Sequence, residues 1–155
     1  MYYIAYGSNM NKEQMSYRCP NSKPVGIGYI KGWKLYFNYH ADIINTNNPN
    51  DETLVVIWDI APEDWKFLDK YEGFPNYYKK VEIETYFMDT ENPDGEPLDV
   101  QNCIAYVMTE ENANGFDFPA FDYYRTIARG YKDFGLNLNC LVEAITTTAE
   151  CAARL

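Results

Sequence analysis

A chain of 155 residues is long enough to bury most of the apolar surface its unfolded form exposes, and it fits one domain spanning 1–155. Its 13 Lys and Arg stand against 23 Asp and Glu, a formal net charge of −10, so a phosphate backbone or an anionic bilayer repels it. That balance argues against nucleic acid and membrane surfaces as partners. The four cysteines (Cys19, Cys103, Cys140, Cys151) form no CxxC pair and read as free, buried thiols, and the lone His40 reads as a structural side chain on a strand. With no Cys/His cluster, no metal site is expected. The N-terminus lacks the basic segment of a secretory leader, and no run approaches the roughly 20 apolar residues of a membrane span. The expectation is a soluble, cytoplasmic protein, a monomer or a homodimer.

In chain order, Tyr2 to Tyr6 is a short apolar run that stops in Gly7-Ser8-Asn9. Gly7 lets the backbone approach a ligand, and Ser8 and Asn9 add small polar groups beside free N–H donors. The stretch alone reads first as a strand end, with anion or oxyanion binding as its second reading. Asn11 can cap a short helix with Gln14 three residues later, ending before Cys19-Pro20. Val25 to Ile30 and Trp33 to Tyr39 read as two strands joined by Lys31-Gly32, a hairpin signal. Asn45 to Asp51 is a polar surface loop. Leu54 to Trp58 is apolar on both faces and is expected at the centre of a sheet or barrel. A helix opens at Ala61-Pro62-Glu63-Asp64, places Trp65 and Leu68 on one face, and ends at Gly73.

Tyr78 to Phe87 alternates Val81, Ile83 and Thr85 against Lys80, Glu82 and Glu84, the pattern of a strand with one wet face. The turn Asn92-Pro93-Asp94-Gly95 leads to a further strand, Val100 to Met108, expected to pair with it. After the loop Thr109 to Pro119, Phe121 to Phe134 is a helix closed by Gly135. Leu138 to Ala153 is a last helix, burying Leu141, Ile145 and Cys151 or Ala152. Six or seven strands with three or four helices argue an α+β domain around a curved antiparallel or mixed sheet.

Two places carry candidate chemistry. Glu72 is the last side chain before the terminating Gly73, where unpaired helix carbonyls oppose a negative charge, so its carboxyl is harder to ionise than in water. Such a group can shuttle a proton near neutral pH. The stretch alone reads first as a solvated glutamate at a helix end, with the proton shuttle as its second reading. The other acids, among them Glu63, Asp64, Glu82 and Glu84, read as solvated surface. No Gly-x-Ser-x-Gly elbow occurs, which argues against a serine hydrolase built on Ser8. Gly26-Ile27-Gly28 lacks the third glycine and the helix of a dinucleotide loop and reads as strand.

Taken together these blocks resemble the γ-glutamylcyclotransferase superfamily, which includes γ-glutamylamine cyclotransferases and plant avirulence-induced proteins. Tyr6-Gly7-Ser8-Asn9-Met10 followed by Arg18 is similar to its N-terminal signature, and Gly32 to Phe37 with Ala41-Asp42-Ile43 to its second block. Val56 to Ile60, Pro62-Glu63-Asp64, Leu68-Asp69-Lys70-Tyr71-Glu72-Gly73 and Tyr77 to Val81 follow its most specific block, with Glu72 at the position of the catalytic glutamate. Pro119, Tyr123, Ile127, Gly130 and Gly135-Leu136 resemble its C-terminal pattern. Ala120 stands where members often carry serine, and the adjacent Tyr124 leaves the pocket tyrosine ambiguous by one position.

The resemblance implies a small closed or nearly closed mixed β-barrel with flanking helices. It also implies cyclisation of a small γ-glutamyl substrate to 5-oxoproline with no cofactor. Glu72 would move the proton, while Tyr6, Gly7, Ser8, Asn9 and Tyr123 would bind substrate. The alternatives are release of the γ-glutamyl group from an amine or a protected metabolite, and a binding module that kept the pocket without catalysis.

Overall fold

Val55, Val56, Ile57 and Trp58 are all buried, which the two-faced apolar run requires, and they form the middle of the central strand. The computed structural model describes residues 1–155. Its strands are β1 (Tyr3–Ala5), β2 (Lys23–Lys31), β3 (Trp33–Asn38), β4 (His40–Asn45), β5 (Glu52–Asp59), β6 (Tyr78–Phe87) and β7 (Asp99–Met108). Its helices are α1 (Lys12–Arg18), α2 (Trp65–Glu72), α3 (Phe121–Asp133) and α4 (Asn139–Ala153), with single 3-10 turns at Ser8–Met10 and Pro62–Asp64.

Five strands close into a barrel in the order β1-β5-β2-β6-β7, and β3 and β4 form a separate ribbon. The barrel is mixed: β1 runs parallel to β7 through Tyr3 and Ile104, and the other pairings are antiparallel. β6 and β7 pair from Tyr78 opposite Met108 to Phe87 opposite Asp99, as the turn between them predicts. Ile83 and Thr85 face the core while Glu82 and Glu84 face water. Gly28 is where β2 crosses β6, and a Cβ there would lie 2.2 Å from the Tyr86 carbonyl oxygen, so no larger residue fits. No helix is long and apolar enough to cross a membrane.

The expected hairpin of β2 with β3 does not form. Gly32, at φ +83°, donates its N–H to the Asp51 carbonyl and accepts from the Thr46 N–H, which turns the chain off the barrel rather than back along β2. β2 spends its ladder on β5 and β6, and β3 pairs instead with β4, Trp33 opposite Asn45. Tyr39 is no strand residue. It sits at φ +66° in the tight reversal between Asn38 and His40, and the period-two pattern simply runs on through the turn.

Three burial expectations are also corrected. In α4 the inward face is Leu141, Ala144, Thr147 and Thr148, because Thr148 satisfies its hydroxyl by donating to Ala144 O (2.7 Å) while accepting from Phe37 N (2.9 Å). A threonine thus caps the outer edge of the β3–β4 ribbon. Cys19 and Cys103 are buried, but Cys140 and Cys151 are only partly so; all four are free.

Asp64 is fully buried rather than solvated, since its Oδ2 accepts from Asn21 N (2.9 Å) and Ser22 Oγ (2.8 Å) and so pins the α1–β2 connection to the start of α2. Asp64→Ala strands both donors, at a cost of about 1–3 kcal/mol. The expected result in thermal denaturation is a Tm roughly 5 °C lower, with a smaller drop for Asp64→Asn, which keeps an acceptor oxygen.

Candidate active site

The turn after β1 and the end of α2 meet at one mouth of the barrel. Asn11 accepts from Gln14 N (3.0 Å) and caps α1, so the chain between β1 and α1 is confined to the single 3-10 turn Ser8–Met10. The N–H groups of Ser8 and Asn9 open that turn, where no acceptor lies within the turn itself. Helix α3 backs it: Asn11 Nδ2 donates to Thr126 O (3.0 Å), and Lys12 N donates to Asp133 Oδ2 (3.1 Å). Across from the turn, α2 stops at Gly73 in the left-handed conformation (φ +65°), with Phe74 N donating to Asp69 O at 2.9 Å. That termination leaves Glu72 at the rim.

Between them lies a cavity of about 330 Å³. Tyr6, Gly7, Ser8, Asn9, Glu72 and Tyr123 all line it, so every site residue expected from the sequence is gathered in one place. The one-position ambiguity resolves geometrically: Tyr123 faces the cavity, whereas Tyr124 packs against Phe37 and does not line it. Gly7 keeps the space open, since a Cβ there would lie 3.1 Å from the Ala41 Cβ and 3.5 Å from the Tyr123 hydroxyl.

Glu72 Oε1 accepts from Asn9 Nδ2 at 3.1 Å, and Oε2 receives no hydrogen bond from the protein. Burial pushes the carboxyl from 4.5 up to about 7, and the Arg18 guanidinium pulls the other way. The upward direction matches the sequence expectation, but its main cause is desolvation rather than the helix end. Asn9, 2% exposed, is committed on every side: Nδ2 also donates to the Tyr3 hydroxyl (3.0 Å), and Oδ1 accepts from Arg18 Nη1. The Ser8 hydroxyl is within 2.9 Å of the Tyr71 hydroxyl.

Seven tyrosines line the cavity, and their protons are not equally available. Tyr6 donates to the Tyr106 carbonyl, Tyr78 donates to the Ala41 carbonyl (2.6 Å), and Tyr106 donates to Asp69. Tyr123 instead accepts from Ala41 N (3.0 Å), and Tyr3 accepts from Asn9, so each keeps its own proton for a ligand. Burial raises the pKa of both phenols, so they remain donors at neutral pH.

His40 lines the cavity and lies within 3.1 Å of the Tyr77 hydroxyl, with burial lowering its pKa. The sequence reading placed it on a strand but missed its position in the cavity wall, as it missed Tyr3, Tyr71, Tyr77, Tyr78 and Tyr106. Tyrosine abundance was the available signal, and abundance has no address. No group of three His, Cys, Asp or Glu side chains converges anywhere in the structure.

The barrel has known counterparts. Residues 3–125 match the family described as "Gamma-glutamyl cyclotransferase, AIG2-like", and the chain belongs to that family. A gamma-glutamylcyclotransferase of Bos taurus is 26% identical over 147 residues, covering 88% of this chain and 72% of its own. That of Homo sapiens gives the same identity over the same length and coverage. With these relatives the chain is a cyclotransferase-type enzyme. A solved gamma-glutamyl cyclotransferase structure superposes with a TM-score of 0.70 at 23% identity, covering 99% of this chain and 86% of that one. An uncharacterized human protein gives a TM-score of 0.68 at 22% identity, covering 98% and 86%. Both share the fold.

Proposed function

We propose that this protein releases 5-oxoproline and a free amine from a γ-glutamyl compound, with Glu72 as the group that moves the proton. The observation that carries the proposal is the single carboxylate in the cavity wall, with one oxygen unbonded and its pKa lifted to about 7. The substrate's α-amino nitrogen attacks its own γ-carbonyl carbon, forming the C–N bond of a five-membered lactam. Because both reacting groups belong to one molecule, the enzyme has mainly to hold the folded conformer.

Glu72 takes a proton from the α-ammonium through Oε2. The attack leaves a tetrahedral centre with its charge on oxygen. The new ring nitrogen still carries two protons and a positive charge; as the bond to the leaving nitrogen breaks, Glu72 gives its proton to that nitrogen and takes the second one from the ring nitrogen, and this proton then passes to solvent. The N–H groups of Ser8 and Asn9 and the free phenolic protons of Tyr3 and Tyr123 are the donors for the oxyanion and the substrate's α-carboxylate. Tyr6 and Gly7 shape the wall, and Ser8 serves as a donor rather than a nucleophile.

A specific observation favours γ-glutamylamines over γ-glutamyl amino acids among the substrates. The cavity lining contains no lysine or arginine, so a leaving group bearing its own carboxylate finds no cation there. The test is to incubate the purified protein with a panel of both classes and measure 5-oxoproline. Release from the amine class supports this reading. Binding of 5-oxoproline with no release from any compound points instead to a binding module.

The pH profile is a further expectation. Glu72 must be ionised to accept a proton, so kcat/KM should be full above pH 7 and fall through a limb near 7, about tenfold per unit below it.

A further inference from the structure

Arg18, the last residue of α1, stands behind the cavity and does not line it. Its guanidinium lies 3.2 Å from the ring centroid of Tyr71, donates through Nη2 to Gln14 Oε1 (3.1 Å) and through Nη1 to Asn9 Oδ1. An arginine at a helix C-terminus is also a favourable charge for the helix itself, and that plain role accounts for its sign. It does not account for the stacking, the fork, or the choice of Asn9 as partner.

The amide of Asn9 has two orientations, and only its neighbours decide between them. Guanidinium is a donor with no acceptor, so it demands the amide oxygen. Both amide protons must then point the other way, one to Glu72 Oε1 and one to the Tyr3 hydroxyl. Glu72 Oε1 is thereby reserved, and a proton arriving on the carboxyl goes to Oε2, the oxygen with no protein partner. With the amide reversed, its oxygen would face Glu72 and hold a proton on Oε1, away from the substrate. Asn9 also keeps the cation one amide away from the carboxylate: no ion pair joins Arg18 to Glu72. A direct pair would hold Glu72 ionised and make it a poor proton acceptor.

We propose that Arg18 is a positioning residue that fixes the amide of Asn9 and so assigns proton traffic to one oxygen of Glu72. This rests on the reading of Glu72 as the proton-moving group. The groups facing Glu72 across the cavity from the other elements are His40, whose burial lowers its pKa, and the phenols of Tyr3, Tyr6, Tyr78, Tyr106 and Tyr123. Arg18 is thus the one cation acting on it, and removing it should raise its titration midpoint.

The test follows the Glu72 carboxyl by 13C NMR, assigned with Glu72→Gln, alongside the pH profile of 5-oxoproline release. Arg18→Met should raise the midpoint by roughly one unit, carry the acid limb up with it, and lower kcat at least about tenfold. Arg18→Lys should restore the midpoint, since the charge returns. It should leave kcat low, since an ammonium has no planar fork to stack and bond at once. An unmoved midpoint in Arg18→Met with kcat within twofold of wild type overturns the inference. Should Arg18→Met fail to fold, Arg18→Lys decides: wild-type kcat overturns the inference, and a reduced kcat at unchanged Tm supports it. Full turnover by Glu72→Gln, or no turnover by the wild type, defeats the reading of Glu72 instead, and the NMR midpoint still decides the role of Arg18.

Discussion

Glu72→Gln is expected to lower kcat for 5-oxoproline release by about 10²–10⁴-fold while leaving ligand binding within a few-fold of wild type. The glutamine keeps an oxygen for Asn9 Nδ2 and fills the same volume, so the wall is preserved and only the proton carrier is lost. A second signature separates this from general damage. The fold raises Glu72 from 4.5 to about 7, so between those values the folded chain holds a proton that the unfolded chain releases. The stabilisation this gives is full below pH 4.5 and is lost as pH rises through about 7. Glutamine carries no such dependence. The variant should therefore match the wild-type Tm near pH 5 and exceed it by a few degrees at pH 8. A variant that turns over substrate at the wild-type rate would remove Glu72 from the mechanism.

Gly130→Ala is expected to be nearly as damaging to activity, from a position outside the cavity. Helix α3 lies against the Ser8–Met10 turn so closely that a Cβ at residue 130 would stand 2.7 Å from the Met10 carbonyl carbon, 2.7 Å from the Met10 Cβ and 2.9 Å from Asn11 N. Two of those three atoms are backbone, so the methyl is not accommodated by turning a side chain. Either α3 lifts, breaking the Asn11 to Thr126 bond, or the turn moves into the cavity. Overpacking of this kind costs about 1–3 kcal/mol, and a displacement of about 1 Å at a positioning element can cost about 10²-fold in rate. The measurement pairs thermal denaturation with 5-oxoproline release. A wild-type rate with unchanged Tm would show that α3 yields freely and does not brace the turn.

What the sequence displayed was mostly local. The Asn11 cap, the stop at Gly73, the turn before β7 and the two-faced run in β5 each depend on residues a few positions apart, and each stands as read. The likeness to the family added what local reading lacked, a link between the Gly7-Ser8-Asn9 turn and Glu72, which lie more than sixty residues apart and meet through Asn9. Partnership across the chain was the hard part. Gly32 could begin a hairpin or leave one, and only the competing ladders of β2 with β5 and β3 with β4 decide it. Asp64 looked solvated because its donors, Asn21 and Ser22, come from a distant connection. The cavity tyrosines arrive from β1, α2, β6, β7, α3 and the connections that follow β1 and precede β6, so no window of sequence contains the wall.

The parallel pairing of β1 with β7 imposes an order of events on synthesis. Ile104 N donates to Tyr2 O at 2.7 Å, joining the first residues of the chain to a strand that follows them by about a hundred positions. Until that strand has left the ribosome, β1 has one open edge and the barrel has a gap on the side that carries the cavity. At roughly 5–20 residues per second the delay lasts roughly 5–20 s. Contacts of such long range also form slowly once both partners are present. The nascent chain thus carries Ile4 unsealed for that interval, and Ile27, Val55, Val56 and Ile57 for the part of it that follows their own synthesis, and the cavity is complete only when Tyr123 arrives after them. Strand β1, made well before β7, is among the last parts to become a binding site.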